Sequence, residues 1–333
     1  MTADTLRLPT PAPRLGWATV AAKEFADHLL SIRFLVLTVV LGLAALVPLY
    51  FVADRIRSLA SEVSGAQAVF LALFTISGQQ DVAFLEVDRF VGLVAPLLGV
   101  AFAFDAVNGE RHEGTLPRLL SQPIYRDDVI NGKFVAGLAV IAVVLTSVIL
   151  VIAGFGLLRL GLVPAPSEIL RIAAWLVATY LYVALWLAFG LLLSVVLRRA
   201  ATSALIAFGS WILVTIFGPL IVSTVARVVA PLSSATSDAE ALSLLGLQQL
   251  ISRILPSTLY EELTLVILNP AVTGVSTPST LGQYFQAQQQ IPTLLSLDQS
   301  LLLVWPQAVA LVALIVVCFA AAYVLFMRQE VRA

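Results

Sequence analysis

The chain has 333 residues, of which 60% are hydrophobic and 12% are charged, and its formal net charge is −1. A soluble domain carries about 25% charged residues, so this composition excludes an ordinary soluble protein and indicates one that crosses a membrane several times. The near-zero net charge also excludes the basic surface that a nucleic-acid-binding protein needs.

Residues 17–32, which precede the first long apolar run, have the pattern of an amphipathic helix. Apolar side chains share one helical face, and Lys23, Glu24 and Asp27 lie largely on the opposite face. Such a helix is predicted to lie on the membrane surface with its apolar face in the bilayer. The alternative is that this segment simply extends the first membrane span.

Six segments are long and apolar enough to cross a bilayer, which takes about 20 mostly apolar residues. The sequence therefore predicts an all-α polytopic membrane protein. A further apolar run, Ala68–Ile76, is too short to cross and is predicted to pack as a helix outside the membrane. The six predicted spans are Phe34–Ala53, Phe90–Val107, Phe134–Leu158, Ile172–Leu197, Ala201–Ala226 and Leu301–Met327.

The distribution of Lys and Arg predicts the orientation of these spans. An even number of spans places both termini on one side, and 12 of the 19 Lys and Arg residues lie on that side. The termini and the segment 108–133 are therefore predicted to be cytoplasmic. The chain then divides into a cytoplasmic N-terminus (1–33), five spans (34–226), an extracytoplasmic loop (227–300), and a last span with a cytoplasmic tail (301–333).

The long loop 227–300 is predicted to form a helical cap outside the membrane. Apolar residues between 247 and 254 follow helical spacing, and Pro256 is predicted to end that helix. Thr258 and Glu261 have the spacing of a capping box for a second helix, Leu259–Leu268. Asn269, followed by proline, is predicted to end it.

The highest density of charge lies between the second and third predicted spans. Nine of the 39 charged residues fall between Asp105 and Lys133, although a loop between two spans needs only to be polar. From residue 108 the segment reads NGERHEGTLPRLLSQPIYRDDVINGKF. Asp105 and Lys133 are predicted to hold the elbow of this loop, with Asp105 pairing with Arg111 or Lys133.

A short surface helix is predicted inside this segment. Thr115 is suited to cap it, and Leu116, Leu119 and Leu120 share one face. Pro123 is predicted to end it. Asp127 and Asp128 follow in the first turn of the next helix, where they suit the positive end of the helix dipole; since Tyr125 stands where a capping serine is common, Asp127 is expected to cap. The apolar stripe framed by charge predicts a docking element for a soluble partner.

The order of residues here resembles that of a known family. The segment follows D-x-x-x-G-E-R-x-x-G-T-L-x-x-L-L-S-x-P and then R-x-x-x-x-x-G-K-F, and this pattern resembles the ABC transporter permeases of the ABC-2 exporter type. Within that type it is most similar to the branch with the permease of the nitrous-oxide-reductase maturation system. The matching positions are Asp105, Gly109, Glu110, Arg111, Gly114, Thr115, Leu116, Leu119, Leu120, Ser121, Pro123, Arg126, Gly132, Lys133 and Phe134.

The resemblance implies a membrane subunit in a prokaryotic inner membrane that couples ATP hydrolysis to transport. The loop would be the coupling helix, seated on a separate soluble P-loop ATPase, and a second permease copy would complete the path, most simply as a homodimer. ATP and Mg²⁺ would be bound by the ATPase, with no cofactor or metal in this chain. The residues expected at the ATPase contact are Glu110, Arg111, Glu113, Gly114, Thr115, Leu116, Arg118 and Leu119; lipid phosphates are the alternative partner for Arg118 and Arg126.

Other functions receive less support from the sequence. The stretch NGKF lacks the glycine and the Ser/Thr of a phosphate-binding loop, so the chain is not expected to hydrolyse ATP or to be an enzyme by itself. The predicted spans hold few ionisable residues, unlike those of an ion-coupled secondary transporter. A serine hydrolase needs a base, and the two histidines, His28 and His112, lie outside the spans.

The cargo and the role of the long loop stay open at this stage. The loop could serve as a lid or dimer contact, or the chain could act as a mechanotransmitter on an extracytoplasmic partner. Residues that could line a transport path are Thr179, Tyr182, Trp186, Ser210, Trp211 and Thr215.

Overall fold

The computed structural model describes residues 16–62, 70–75, 86–115, 124–270 and 294–329, and no β-strand occurs among them. The prediction of an all-α protein is confirmed. The α-helices are α1 (Gly16–Leu29), α2 (Ile32–Glu62), α3 (Ala72–Thr75), α4 (Val87–Val94), α5 (Pro96–Ala103), α6 (Asn108–His112), α7 (Arg126–Leu160), α8 (Pro166–Val196), α9 (Ala200–Ile212), α10 (Gly218–Val229), α11 (Asp238–Ser252), α12 (Pro256–Leu268) and α13 (Leu297–Arg328).

All six predicted spans are present as helices long and apolar enough to cross a membrane. The second runs through α4, α5 and α6, and the fifth through α9, a π-helical turn at Leu213–Phe217, and α10. Pro219 has no N–H to bond to the carbonyl of Thr215, which accounts for the irregular turn just before it. The six ranges are Ile32–Tyr50, Val87–His112, Arg126–Leu160, Pro166–Val196, Ala200–Ser234 and Leu297–Arg328.

The N-terminal amphipathic helix is a separate element from the first span. Leu30 and Ser31 interrupt the helical structure between α1 and α2. The helix α1 packs on the first turns of α7, where Gly132 lets the backbone of Trp17 and the side chain of Val20 come close. The alternative of one continuous first helix is therefore wrong, whereas the location of α1 at the membrane surface stays a prediction.

The helix α8 is the central element of the bundle, with α5, α7, α12 and α13 packed around it. A Cβ on Gly99 would lie 2.5 Å from the carbonyl oxygen of Val183, so α5 crosses α8 at backbone contact. The most apolar stretch of each span differs in how far it is buried inside the chain: 61% of this stretch is buried in α8, against 11% in the fifth span and 17% in α13. These last two spans therefore present most of their surface to whatever surrounds the protein.

The short helix predicted near residues 68–76 is reduced to one turn, α3, in the described part of the chain. Phe70 and Phe74 are buried, and Phe74 packs edge-on against Trp175 with ring centroids 5.2 Å apart. Glu168 fixes this segment, since its carboxylate accepts hydrogen bonds from the N–H groups of Phe70 and Ala165. The turn thus packs on the start of α8.

Two helices of the 227–300 loop form a hairpin that enters the bundle. The helix α11 packs against α10, and α12 packs against α8 and α13. Tyr260 stacks on Tyr182 with ring centroids 4.7 Å apart. At a rise of about 1.5 Å per residue, Tyr182 lies about 24 Å from the first residue of α8. The helix α12 therefore packs against two spans rather than projecting from them, and the location of the 227–300 loop outside the membrane stays a prediction.

The ends of α12 also differ from those predicted. The helix begins at Pro256 with Leu255 as its N-cap residue, and no side chain caps it. Proline fits the first helical position because its missing N–H has no helical partner there, so the predicted capping box of Thr258 and Glu261 is wrong. Asn269 does end the helix as predicted. The polar segment after residue 270 lies outside the described residues until 294.

Candidate functional site

The two flanks of the charged segment lie at one end of the bundle, together with α1 and the last residues of α13. The N–H of Trp17 donates to Asp128 Oδ1 at 3.0 Å, and Arg126 Nη1 donates to the carbonyl oxygen of Gln329 at 3.0 Å. We call this the terminal end of the bundle, and the opposite end the distal end.

Lys133 is the centre of the site at the terminal end. Its side chain is only 3% exposed, and its ammonium lies 2.7 Å from Glu110 Oε1 and 3.1 Å from Glu24 Oε1. If the Lys133 charge were removed, the two carboxylates would be left without a cation, and breaking a buried ion pair in this way is strongly destabilising. Lys133 therefore ties α1, α6 and α7 together, in keeping with its predicted role at the elbow.

Asp105 also holds the elbow, but through a partner that the sequence analysis did not consider. Its carboxylate lies 2.6 Å from Arg33 Nη1, and the Arg33 guanidinium stands 5.1 Å from the ring centroid of Phe104. The predicted pairing with Arg111 or Lys133 is wrong, because the start of α2 passes beside Asp105 and Lys133 is already held by two glutamates.

Ser194, a residue that the sequence analysis missed, fixes the start of α6. Its buried hydroxyl oxygen accepts hydrogen bonds from the N–H groups of Val107 at 2.9 Å and Asn108 at 3.2 Å. These are N–H groups that the beginning of a helix leaves without an intrahelical partner. In the sequence, Ser194 is visible only as a polar residue near the end of an apolar span. Its partner Val107 lies 87 residues away, so the sequence gives no sign of the contact.

Arg111 joins the charged segment to the ends of α8 and α13. Its Nη1 donates to the carbonyl oxygen of Val195 at 3.3 Å, and the same oxygen accepts from Gln329 Nε2 at 2.8 Å. The backbone of Gln329 in turn accepts from Arg126. The residues before and after the predicted coupling helix are thus connected to the ends of two spans.

The predicted contact residues divide into inward-facing and exposed groups. Glu110 and Arg111 bond within the chain, whereas Glu113, Gly114 and Thr115 are exposed. Gly114 has φ +70°, a backbone conformation that favours glycine. Together with the exposed His112 these three residues form what we call the exposed turn, 112–115. The predicted contact residues Leu116, Arg118 and Leu119 lie outside the described residues.

Asp128, and not Asp127, caps the helix α7. Its Oδ2 accepts from the N–H of Tyr125, the N-cap residue, at 3.2 Å. Its other oxygen accepts from Trp17, so the same carboxylate joins α1 to α7. The expectation that Asp127 caps this helix is wrong, although both acids lie in the first turn as predicted.

Two polar networks link α12 to the spans, and the sequence analysis missed both. Arg171, buried and without a carboxylate partner among the described residues, donates to the carbonyl oxygen of Ile267 at 2.7 Å and to Ser300 Oγ at 3.2 Å. It thereby caps the carbonyl end of α12.

The second network is centred on Glu262. Its carboxylate lies 2.9 Å from Arg253 Nε and accepts from Gln307 Nε2, on α13, at 2.7 Å. Residues on both α11 and α13 bond to it, because α12 lies between these helices.

The residues suggested to line a transport path also divide. Thr179, Tyr182 and Trp186 are buried within the chain, and Thr179 Oγ1 lies 3.0 Å from the hydroxyl of Tyr260. Thr179 and Tyr182 pack against Tyr260 of α12, and all three side chains expose almost no surface. Ser210, Trp211 and Thr215, on the fifth span, are half-buried. Among the described residues no three His, Cys, Asp or Glu side chains are grouped so that they could hold a metal ion.

One comparison with known proteins identifies the chain. A family model described as "ABC-2 family transporter protein" matches residues 18–331, nearly the whole chain. No curated protein gave a significant match. The family match does not separate branches, so the resemblance to the nitrous-oxide-reductase maturation permeases stays a prediction.

Proposed function

Because the chain belongs to the ABC-2 family of transporter proteins, we propose that it is the permease subunit of an ATP-driven exporter, and that a separate P-loop ATPase docks on its terminal end. An integral membrane protein with six spans is the form such a subunit takes. The proposal places both termini in the cytoplasm and the distal end outside, as the distribution of Lys and Arg predicts.

The observation that carries the proposal is the way the exposed turn is mounted. The turn follows directly on α6, and α6 is held by Lys133 on α7, Ser194 on α8 and the carbonyl of Val195. A force applied to the turn therefore acts on several spans at once. Motion of packed helices against each other is the usual way in which such bundles change state.

Glu113 and Thr115 are the best candidates for direct contact with an ATPase, since they are exposed and bond to no other span in the described part of the chain. Glu110 and Arg111 are proposed to act indirectly, by holding the turn in place. This assignment changes the design of the test, because a substitution of Glu110 would disturb the permease itself.

The test is to purify the tagged chain from its own membranes in mild detergent and to identify the proteins that come with it. We expect a P-loop ATPase in near-equal amount, and we expect Glu113→Arg combined with Thr115→Arg to remove it while the chain remains intact. The matched control is Glu240→Arg, an exposed carboxylate on α11 at the distal end. If no ATPase accompanies the wild-type chain, or if it stays with the double variant, the proposed docking is wrong.

A second permease copy is proposed to cover the fifth span. This span buries little of its surface within the chain and carries the half-buried Ser210 among exposed apolar side chains. Polar groups on a lipid-facing surface are unfavourable, which supports a homodimer with the transport path between the two copies. Cysteine pairs across the fifth span, cross-linked in membranes, would test this.

The position of α12 bears on the mechanotransmitter alternative. A domain that acts on an external partner is expected to project from the bundle, whereas α12 packs between α8 and α13. This supports a role for the hairpin in opening and closing the path at the distal end. The alternative predicts an extracytoplasmic protein in the same purification, which the experiment above also detects.

A further inference from the structure

Five arginines at the terminal end have no carboxylate partner among the described residues. The other described cations at this end do have one, since Arg33 pairs with Asp105, Lys133 with two glutamates, and Lys23 with Asp27. We call the unpaired set the arginine cluster. It consists of Arg111, Arg126, Arg198, Arg199 and Arg328.

Hydrogen bonds to two backbone carbonyls hold two of these arginines, and the other three lie close to the same carbonyls in the sequence. Arg111 and the side chain of Gln329 share the carbonyl oxygen of Val195, and Arg126 donates to the carbonyl oxygen of Gln329. Arg198 and Arg199 follow Val195 after a few residues, and Arg328 precedes Gln329. Arg111 lies within electrostatic range of Arg198. The positive charges are therefore close to each other.

The chain supplies too few acids nearby to neutralise this cluster. Asp127, next to Arg126, forms no ion pair with any of the five in the described part of the chain. Glu113 and Asp128, the other carboxylates near these arginines, also pair with none of the five in the described part of the chain, so five cations stand against three such carboxylates. Close like charges repel each other, which favours the binding of an anion from outside the chain.

Exposed apolar side chains adjoin the arginines. Val196, which immediately precedes the turn with Arg198 and Arg199, is 52% exposed, and Tyr125, next to Arg126, is 79% exposed. Leu325 and Met327 are also exposed beside Arg328. Guanidinium groups next to apolar surface, at the ends of membrane helices, match a ligand with a phosphate head and hydrocarbon chains.

We propose that the arginine cluster binds the phosphate headgroup of an anionic membrane lipid, with its acyl chains on the apolar surface beside Val196 and Leu325. The guanidinium fork suits the paired oxygens of a phosphodiester. An acidic face of a soluble protein is the other anion to consider. The arginines follow directly on the last apolar turns of α8 and α13, at the level where headgroups lie, and the exposed turn beyond them presents the acidic Glu113 instead.

The test is native mass spectrometry of the purified chain, delipidated and then offered phosphatidylglycerol and phosphatidylcholine with the same acyl chains. The variant is Arg198→Gln, Arg199→Gln and Arg328→Gln together, which leaves Arg111 and Arg126 in place. The control is Arg227→Gln, an exposed arginine at the distal end with no partner among the described residues. A second variant with lysine at the same three positions keeps the charge, and size-exclusion profiles report folding.

We expect the wild-type chain to bind phosphatidylglycerol in preference to phosphatidylcholine. The triple glutamine variant is expected to lose about fivefold in affinity for each charge removed, whereas the lysine variant and Arg227→Gln retain binding. Equal binding by the glutamine variant, or no preference in the wild-type chain, would overturn the proposal. So would saturation of the site by inorganic phosphate alone, or a variant that keeps the lipid and loses only an associated ATPase.

Discussion

The ammonium of Lys133 lies 2.7 Å from the Glu110 carboxylate, across the loop that these two residues flank. Glu110 belongs to the motif that carries the family resemblance, yet its side chain faces into the protein. Its Oε2 is buried and has no hydrogen-bond partner among the described residues. The motif therefore carries residues that fix the loop as well as residues that are free to meet a partner.

Replacing Lys133 by methionine is expected to destabilise the protein by about 3 kcal/mol, because Glu24 and Glu110 would be left as close, partly buried carboxylates without a cation. The apparent midpoint of thermal unfolding in detergent, at a fixed heating rate, measures this. Lys23→Met is the control: its ion pair with Asp27 is exposed, and such pairs contribute little. An equal loss in both variants would show that the buried position of Lys133 does not matter.

Gly109, in α6, and Gly114, in the exposed turn, are expected to respond differently to alanine. Gly114 has φ +70°, where an L-residue costs about 1–2 kcal/mol, so Gly114→Ala should lower stability and reorient the exposed turn. At Gly109 a Cβ would meet only the Cβ of Asp105, at 3.6 Å, an ordinary contact. Thermal unfolding and recovery of the ATPase are the two measurements. Reduced recovery with Gly109→Ala alone would contradict the role given to Gly114.

Gly99→Ala is expected to disrupt the crossing of α5 and α8. The new Cβ would lie 2.5 Å from the carbonyl oxygen of Val183 and 2.7 Å from the nitrogen of Leu187, and overpacking of this kind costs about 1–3 kcal/mol. Gly42→Ala in α2 is the control, since nothing lies within 4 Å of its Cβ. We expect the control to match or exceed wild-type stability, and unchanged stability of Gly99→Ala would contradict the close packing.

Stability should fall in mild acid because of His28. Burial lowers the pKa of its imidazole, an effect that the nearby Glu24 partly opposes, and the ring packs on Phe102. The unfolded chain then binds the proton more readily than the folded one, so the free energy of unfolding decreases as the pH falls through the ordinary value of 6.5. Unfolding midpoints across this range measure the effect, and His28→Gln should flatten the profile.

The other histidine, His112, provides the matched control for that experiment. It lies in the exposed turn, so His112→Gln is expected to leave the wild-type pH profile in place. A profile flattened by the His112 substitution, and not by the His28 substitution, would place the titrating group in the turn.

The six spans could be predicted from the sequence because an apolar run of sufficient length is itself the physical requirement for crossing a bilayer. The position of the hairpin formed by α11 and α12 could not be predicted in this way. The helix α12 has 13 residues and carries Glu262, so neither its length nor its composition indicates a place among the spans. Its depth depends on contacts such as Tyr260 on Tyr182 and Glu262 with Gln307, which join distant parts of the chain.

The same distinction applies to the candidate site. The role of Lys133 at the elbow followed from charge placed at the end of a span. The partner of Asp105 did not, because Arg33 lies on another helix. Spacing along the segment also gave no means of separating the inward-facing Glu110 from the exposed Glu113, since both are acids in one short polar stretch.

The hairpin also imposes an order on biogenesis. With 15 and 13 residues, α11 and α12 are too short to be inserted as spans, so in the proposed orientation this segment first crosses to the far side of the membrane and then folds back. Its binding surface includes Ser300 and Gln307, on the last span to be synthesised. In that orientation the return of α12 is expected to be a late step, and a chain that lacks it leaves Arg171 and Glu262 without their partners on α12 and α13.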